Sequence, residues 1–253
     1  MSEFEQTYVH EIYDEISLHF SATRFSIWPL VKRFIEPLPS HSLVSDIGCG
    51  NGKNLIASAL QNHIAFGCDI SIELCRLALT SIQNRQLVVD VFHADGLITP
   101  FKSNIFDATL SIAVIHHFST LDRRTAALQE LHRITKPKGK VLVSVWAYGQ
   151  PKMSKWKPIK FDDNQPSHDD VTSEETQDFI VPWHLRKDLT HKESREKGAK
   201  SLGRDDRGDV IHGRYYYLFK QGELDELFEK VGFSIVESYF ECDNYVVIGE
   251  KSE

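Results

Sequence analysis

The sequence predicts an α/β protein built on one doubly wound, mostly parallel, seven-stranded sheet. Three observations predict it. Short apolar runs alternate with helical patterns from Leu43 to Trp146, as repeated βαβ units require. A glycine-rich turn, Gly48-Cys49-Gly50-Asn51-Gly52, directly follows the first of those runs, where an α/β sheet places its ligand loop. Asp69 and Asp95 stand at the ends of the second and third runs, so polar groups recur at successive strand ends.

The first stretch, 1–41, reads as helical. Tyr8, Val9, Ile12, Tyr13, Ile16 and Phe20 fall at helical spacing and make one face apolar. Pro29, Pro37 and Pro39 punctuate the chain beyond that face. Over 42–147 the expected strands are Leu43–Ile47, Ile64–Asp69, Val88–His93, Phe106–Ile112 and Val141–Trp146. Lys53–Gln61, Ile72–Asn84 and Leu121–Thr135 are the helices between them. The stretch 148–214 breaks the alternation, being polar and charged with few candidate strands. It is too long for an ordinary connection, so it is expected to carry function or to be partly disordered. In the closing segment, 215–253, Gly222–Val231 reads as a helix, and Phe233–Phe240 and Tyr245–Ile248 as the last two strands. The whole chain is expected to form one domain.

Composition narrows the classes. Apolar residues make up 41% and charged residues 26% of the 253, as in soluble globular proteins. No apolar run approaches the ~18 residues of a membrane span. Met1–Glu15 is acidic and amphipathic, unlike a secretion signal. Cys49, Cys68, Cys75 and Cys242 form no Cys-x-x-Cys pair and sit in apolar segments. They read as reduced and buried, in a cytoplasmic or nuclear compartment, and no metal site is expected. The net charge of −7 argues against a broad nucleic-acid surface. Residues 184–214 nevertheless hold nine basic against six acidic side chains, which is either a local phosphate-contacting patch or a solvated mixed-charge loop.

The glycine turn carries the clearest chemistry. Glycine is needed where a backbone turns tightly and a ligand comes close. The helix that begins near Lys53 turns its free amides and dipole toward the loop. A dinucleotide fingerprint would need glycine at 53, which is lysine. The pattern is instead Asp46-Ile47-Gly48-Cys49-Gly50-Asn51-Gly52, and it resembles the first motif of class I, Rossmann-like methyltransferases. That resemblance implies S-adenosylmethionine as cofactor and S-adenosylhomocysteine as product. It implies that the loop holds the methionine part and that Asp46 orients its amine. Asp69 would accept the ribose hydroxyls, and Asp95, with Gly96 and Ile112, would border the adenine. Taken alone, each strand-end Asp reads equally well as a turn former.

Longer segments resemble one subfamily, the eukaryotic tRNA methyltransferases that esterify 5-carboxymethyluridine at the wobble position. They are Tyr13–Phe25 with Trp28-Pro29, Asp46–Lys53, Ala94–Leu97, Ser111–Thr120 with Arg123-Arg124, Val145–Ala147, Val181–His184 and Arg214–Tyr216. The subfamily commonly has His after the paired tyrosines, where this chain has Tyr217.

The resemblance implies transfer of the methyl to a carboxylate that is already ionised at neutral pH, so alignment matters more than a base. On this reading the catalytic residues are Arg24 as carboxylate clamp, His116 beside the methyl, and Trp146 stacked on the base. Arg214, Tyr216 and His117 contact the substrate. The anticodon loop of tRNA is the macromolecular partner. The subfamily also works with a small zinc-binding activator protein, expected to form a heterodimer by adding a strand at residues 87–92, an edge without proline or lysine. A methyltransferase for a small carboxylic acid, or a non-catalytic scaffold of the same fold, are the alternative readings.

Overall fold

Each apolar run between Leu43 and Trp146 forms a strand in the computed structural model of the chain, which describes residues 3–24, 26–162, 165–167, 171–186 and 201–253. These strands are β1 (Leu43–Ile47), β2 (Ile64–Asp69), β3 (Val89–His93), β4 (Phe106–Ile112) and β5 (Thr135–Trp146). The insertion adds β6 (Lys157–Pro158), β7 (Lys160–Asp162), β8 (Gln165–Ser167), β9 (Asp178–Leu185), β10 (Ser201–Arg204) and β11 (Val210–Tyr217). The chain closes with β12 (Phe233–Glu241) and β13 (Asn244–Lys251). The main sheet has the order β12-β13-β5-β4-β1-β2-β3. Pairs from β5 to β3 are parallel, and β13 alone runs against its neighbours. The order reverses at β1, which pairs with β2 on one side and β4 on the other. Sheets of this kind leave a crevice at the carboxyl ends of the strands there.

Helices cover both faces. The N-terminal segment runs as α1 (Glu3–Glu5), a π-helical turn (Gln6–His10) and α2 (Glu11–Thr23), followed by α3 (Pro29–Ile35). Then come α4 (Lys53–Ala59), α5 (Ile72–Gln83), α6 (Leu121–Ile134) and α7 (Glu223–Lys230). Alternation along β5 divides the core: Val141 and Val143 face Leu128, Leu131 and Phe228, while Leu142 faces Leu30, Val31 and Phe34. Side-chain caps start two helices where the sequence places them, with Ser71 Oγ accepting the Leu74 amide and Thr120 Oγ1 that of Arg123.

The structure corrects the reading of the insertion. Instead of few strands, it forms a second, antiparallel sheet, β10-β11-β9-β6, and a hairpin, β7–β8. Its aromatic strands are buried on both faces, which erases the alternation that marks a half-exposed strand. Tyr215 packs with Phe4, Tyr8 and Ile180 under the N-terminal helix, while Tyr216 packs with Phe179, Trp146 and Trp156. The helix and this sheet together roof the strand ends. Of the basic patch, Lys187, Lys192, Arg195, Lys197 and Lys200 lie outside the described residues. All four cysteines are free thiols, but only three are buried; Cys242 is exposed in the turn between β12 and β13. β3 is the sheet edge, and its pairing starts at Val89, leaving Val88 90% exposed. Among the described residues no helix is long and apolar enough to cross a membrane.

Candidate active site

The turn after β1 is shaped by what it must avoid. Gly48 has φ +82°, and a Cβ there would lie 2.3 Å from Val114 Cγ2. Its amide and that of Cys49 both donate to the Cys68 carbonyl, tying the turn to β2. Gly52, at φ +76°, starts α4 with its free amides toward the cleft. Asp46 lies beneath the turn, fully buried. Its Oδ2 accepts from Asn54, and its Oδ1 has no partner among the described residues. Burial, with Asp69 adding repulsion, lifts its carboxyl to about 7. A buried acceptor without a donor is costly.

Asp69 closes the same turn from β2. Its Oδ2 accepts the Gly50 amide at 2.8 Å and its Oδ1 the Ser71 amide at 2.9 Å. Burial pushes its carboxyl up while those two amides pull it down. Each oxygen keeps a second lone pair, so two hydroxyls can still be accepted. Asp95 accepts the Leu97 amide at 2.9 Å, so it is a turn former as well as a wall of the cleft.

Gly48, Asp69 and Asp95 border a cleft of about 1240 Å³, part of it open to solvent. Gly48, Gly50, Asp69, Asp95, Gly96 and Ile112 are among its walls. Arg24, His117, Trp146, Arg214 and Tyr216 line the same cleft. Trp146 is stacked on Tyr216 at 4.2 Å and on Trp156 at 5.4 Å, which presents a broad aromatic surface. Among the described residues, neither Arg24 nor Arg214 forms an ion pair. Both lie over aromatic rings instead: Arg24 6.0 Å and Arg214 4.6 Å from the centre of Trp183.

Three predicted residues do not line the cleft: Asp46, Gly52 and His116. Asp46 and Gly52 belong to the turn beneath it. His116 is a correction. The sequence placed it beside the reacting methyl, but its ring is fully buried, and its Nδ1 accepts the Trp146 amide at 3.0 Å. The reason is the 3₁₀ turn Ile115–His117, which points successive side chains about 120° apart. It is His117 that reaches the wall. Tyr217 also stays away from the cleft, with the Arg124 guanidinium 3.5 Å above its ring and its hydroxyl on Glu223.

The sequence reading assigned no role to several wall residues: Glu5, His10, Tyr13, Phe20, Asn51 and Lys53. Four of these come from the N-terminal helix. Helical spacing was the available signal, but it read that face as plain core. The π-helical turn Gln6–His10 changes the spacing, and such turns recur at functional sites. Glu5, 1% exposed, accepts from the Ser119 amide and hydroxyl and pairs with Arg123, fastening the helix across the cleft. Asn51 donates to the Arg24 carbonyl at 3.1 Å, joining the glycine turn to the end of α2. Burial lowers Lys53 to about 8.

A profile described as a methyltransferase domain matches residues 45–143. The chain is 38% identical over 250 residues to the tRNA (carboxymethyluridine(34)-5-O)-methyltransferase of Schizosaccharomyces pombe, covering 99% of both. It is 37% identical over 273 residues to the tRNA (carboxymethyluridine(34)-5-O)-methyltransferase alkbh8 of Xenopus tropicalis, matching 99% of this chain but 42% of that longer protein. Among solved structures it resembles a SAM-dependent methyltransferase from Methanosarcina mazei, with TM-score 0.65 and 19% identity over 90% of this chain and 99% of that one. It also resembles a chain from the complex between the Haloferax volcanii Trm112 methyltransferase activator and a methyltransferase, with TM-score 0.63 and 15% identity over 97% and 98%. At such identities the structural likeness speaks for the fold.

Proposed function

The chain belongs to the tRNA (carboxymethyluridine(34)-5-O)-methyltransferase family, and from that premise we propose that it methylates the carboxylate of 5-carboxymethyluridine at the wobble position of tRNA. S-adenosylmethionine, when bound, supplies an electrophilic methyl for the carboxylate oxygen. The residues present fit that cofactor. Asp69 offers spare lone pairs at the wall, Gly48 leaves a cradle that a Cβ would fill, and Asp46, beneath the turn, keeps an acceptor with no partner among the described residues.

One observation carries the acceptor reading. Two arginines that form no ion pair among the described residues wall the same cleft as the cofactor turn. An unpaired cation in a partly dry cleft favours an anionic ligand. The aromatic surface of Trp146 and Tyr216 suits a base taken out of its stack. The carboxylate needs no deprotonation at neutral pH. The chain's task is therefore to fix the oxygen in line and to exclude water, worth ~7–11 kcal/mol when alignment is good. His117, which burial brings down to about 3, stays neutral and acts by position. His116 holds the Trp146 backbone and through it the aromatic surface.

For the partner we read β3 as the docking edge. Val88 and Phe92 are exposed there, and an unprotected edge invites strand addition. A small zinc-binding activator of the Trm112 kind is the partner we propose.

The test is transfer of labelled methyl to tRNA that lacks only this ester, with and without activator. Label that mild alkali releases is expected. Label stable to alkali would refute the ester, and equal transfer to the free carboxylated nucleoside would favour a small-molecule enzyme.

A further inference from the structure

The hydrogen bonds behind Arg214 run in one direction only. His117 Nδ1 lies 2.7 Å from the Tyr215 carbonyl oxygen. A carbonyl only accepts, so Nδ1 carries the hydrogen and, in the neutral ring, Nε2 is bare. Tyr13 Oη, 2.9 Å from Nε2, must then donate to it. With its hydrogen used, Tyr13 Oη accepts from Tyr216 Oη at 3.2 Å. Tyr216 Oη in turn accepts from Arg214 Nη1 at 2.7 Å. An arginine only donates, so every link from Arg214 to the main chain of Tyr215 has one possible polarity. Three segments distant in sequence supply the chain, and none of its members is free to rotate without breaking a neighbour.

The two cleft arginines differ in their surroundings. Arg214 is 5% exposed, and its Nε is buried with no partner among the described residues. Aromatic faces of Trp183 and Tyr216 flank it at 4.6 and 5.1 Å. Arg24 is only half-buried, and its Nη1 reaches the neighbouring Thr23 carbonyl in an exposed hydrogen bond. A dry, pre-oriented fork discriminates between neutral and anionic groups, because an unmatched buried donor is costly. A cation at the wet rim attracts any phosphate and is screened by salt.

We propose that Arg214 selects the carboxylate of the acceptor, that Tyr13 and His117 are positioning residues holding it through this chain, and that Arg24 meets a backbone phosphate at the mouth. This rests on the proposed carboxylate acceptor and moves the clamp that the sequence suggested for Arg24 to Arg214.

The test uses the chain with its activator, loaded with S-adenosylhomocysteine so that nothing turns over. Binding is measured to two tRNAs that differ only in carrying carboxymethyl or carbamoylmethyl on the target uridine, over a range of salt. Wild type is expected to prefer the carboxylate by at least about tenfold, the scale of one charge-assisted hydrogen bond. Arg214→Gln is expected to bring that ratio close to one. Tyr216→Phe keeps the ring on Trp146, loses only the oxygen, and is expected to lower the ratio as well. Tyr13→Phe is expected to cut the ratio about threefold, a fraction of the same hydrogen bond, with S-adenosylhomocysteine affinity unchanged. Arg24→Gln should weaken both tRNAs equally and lower the salt slope by about one. A discriminating wild type whose Arg214→Gln and Tyr216→Phe forms still discriminate overturns the assignment alone. An unchanged ratio in Tyr13→Phe overturns the positioning chain. A wild type that binds both tRNAs equally overturns the acceptor reading itself, and this assignment with it.

Discussion

Replacing Gly48 by alanine separates two costs that the turn after β1 avoids. The first is conformational: at φ +82° an L-residue is in the left-handed region, at a cost of roughly 1–2 kcal/mol. The second is steric: the new Cβ would sit 2.3 Å from Val114 Cγ2 and 2.9 Å from Cγ1, and forced overpacking costs about 1–3 kcal/mol. Gly48→Ala is therefore expected to destabilise by about 2–5 kcal/mol, a large part of a typical ~5–15 kcal/mol. Val114→Ala removes both γ carbons. The double variant should recover most of the steric share, leaving the Val114 Cβ contact at 3.2 Å, and keep the conformational one, so the cycle should return a coupling of about 1–3 kcal/mol. Urea unfolding of the four proteins measures it. S-adenosylmethionine titration should show at least a tenfold loss of affinity, about 1.4 kcal/mol, in Gly48→Ala. A coupling below about 0.5 kcal/mol, within ordinary additivity, would refute the argument, because the turn would then be relaxing without meeting Val114.

Three further outcomes rest on the same geometry. Burial raises the Asp46 carboxyl from 3.8 to about 7; the stability of its neutral form is complete below the unfolded value and is lost as pH climbs through about 7. Asp46→Asn should flatten that decline in the ligand-free protein. A ligand ammonium beside Asp46 would favour ionisation, so cofactor binding near neutral pH should release protons, and calorimetry in buffers of differing ionisation enthalpy that finds none would sink the assignment. Glu5→Gln breaks a pair whose acid is 1% exposed and whose Arg123 side chain is 22% exposed; a loss of ~3 kcal/mol in urea unfolding is expected, the low end for buried pairs, and less than about 1 kcal/mol would mean that the helix is fastened elsewhere. Val89 is 8% exposed and belongs to the core, so the activator edge is tested at Val88 and Phe92. Val88→Lys with Phe92→Lys should abolish co-purification with the activator; Phe92 also packs edge-on against Phe101, so Val88→Lys alone, at unchanged melting temperature, should weaken it, and retained binding in both would move the interface off β3.

The main sheet was legible because its strands are bounded abruptly. β1, β2 and β4 begin and end on the residues where their apolar runs do, with Gly48, Ile70-Ser71 and Ala113 just beyond. β5 was not, because Lys136, Lys138 and Lys140 interrupt its start and Lys138 sits at φ +62°, in a register shift against β4. The insertion hid its strands differently. Tyr215 and Tyr216 lie on opposite faces of β11, yet each enters an apolar cluster, so no polar face marks the period. Adjacent residues raise the same difficulty at the site. His116 and His117 differ by one step of a 3₁₀ turn, and only the packing of Trp146 and Tyr13 decides which of them reaches the cleft.

Charge was the least legible quantity, and it is the one that carries the acceptor reading. Nothing in the local sequence around Arg24 or Arg214 says that they form no ion pair among the described residues. Pairing is settled by the fold: Arg123 finds Glu5 across 118 positions, and Arg33 finds Glu241 across 208. Arg76 and Arg133 take Glu73 and Glu130 within their own helices. Once those pairs are made, the arginines left over can be sorted by what they face. Arg124 likewise forms no ion pair among the described residues, but its Nη1 donates to the Phe118 carbonyl and it stacks on Tyr217, away from the cleft. Arg24 and Arg214 face the cleft, supported by aromatic rings that leave their charge uncancelled. A side-chain carboxylate in their place would have satisfied the same guanidinium and removed the attraction for a ligand anion. Cation–π support, worth roughly 0.5–2 kcal/mol, holds the arginines in place and keeps that attraction.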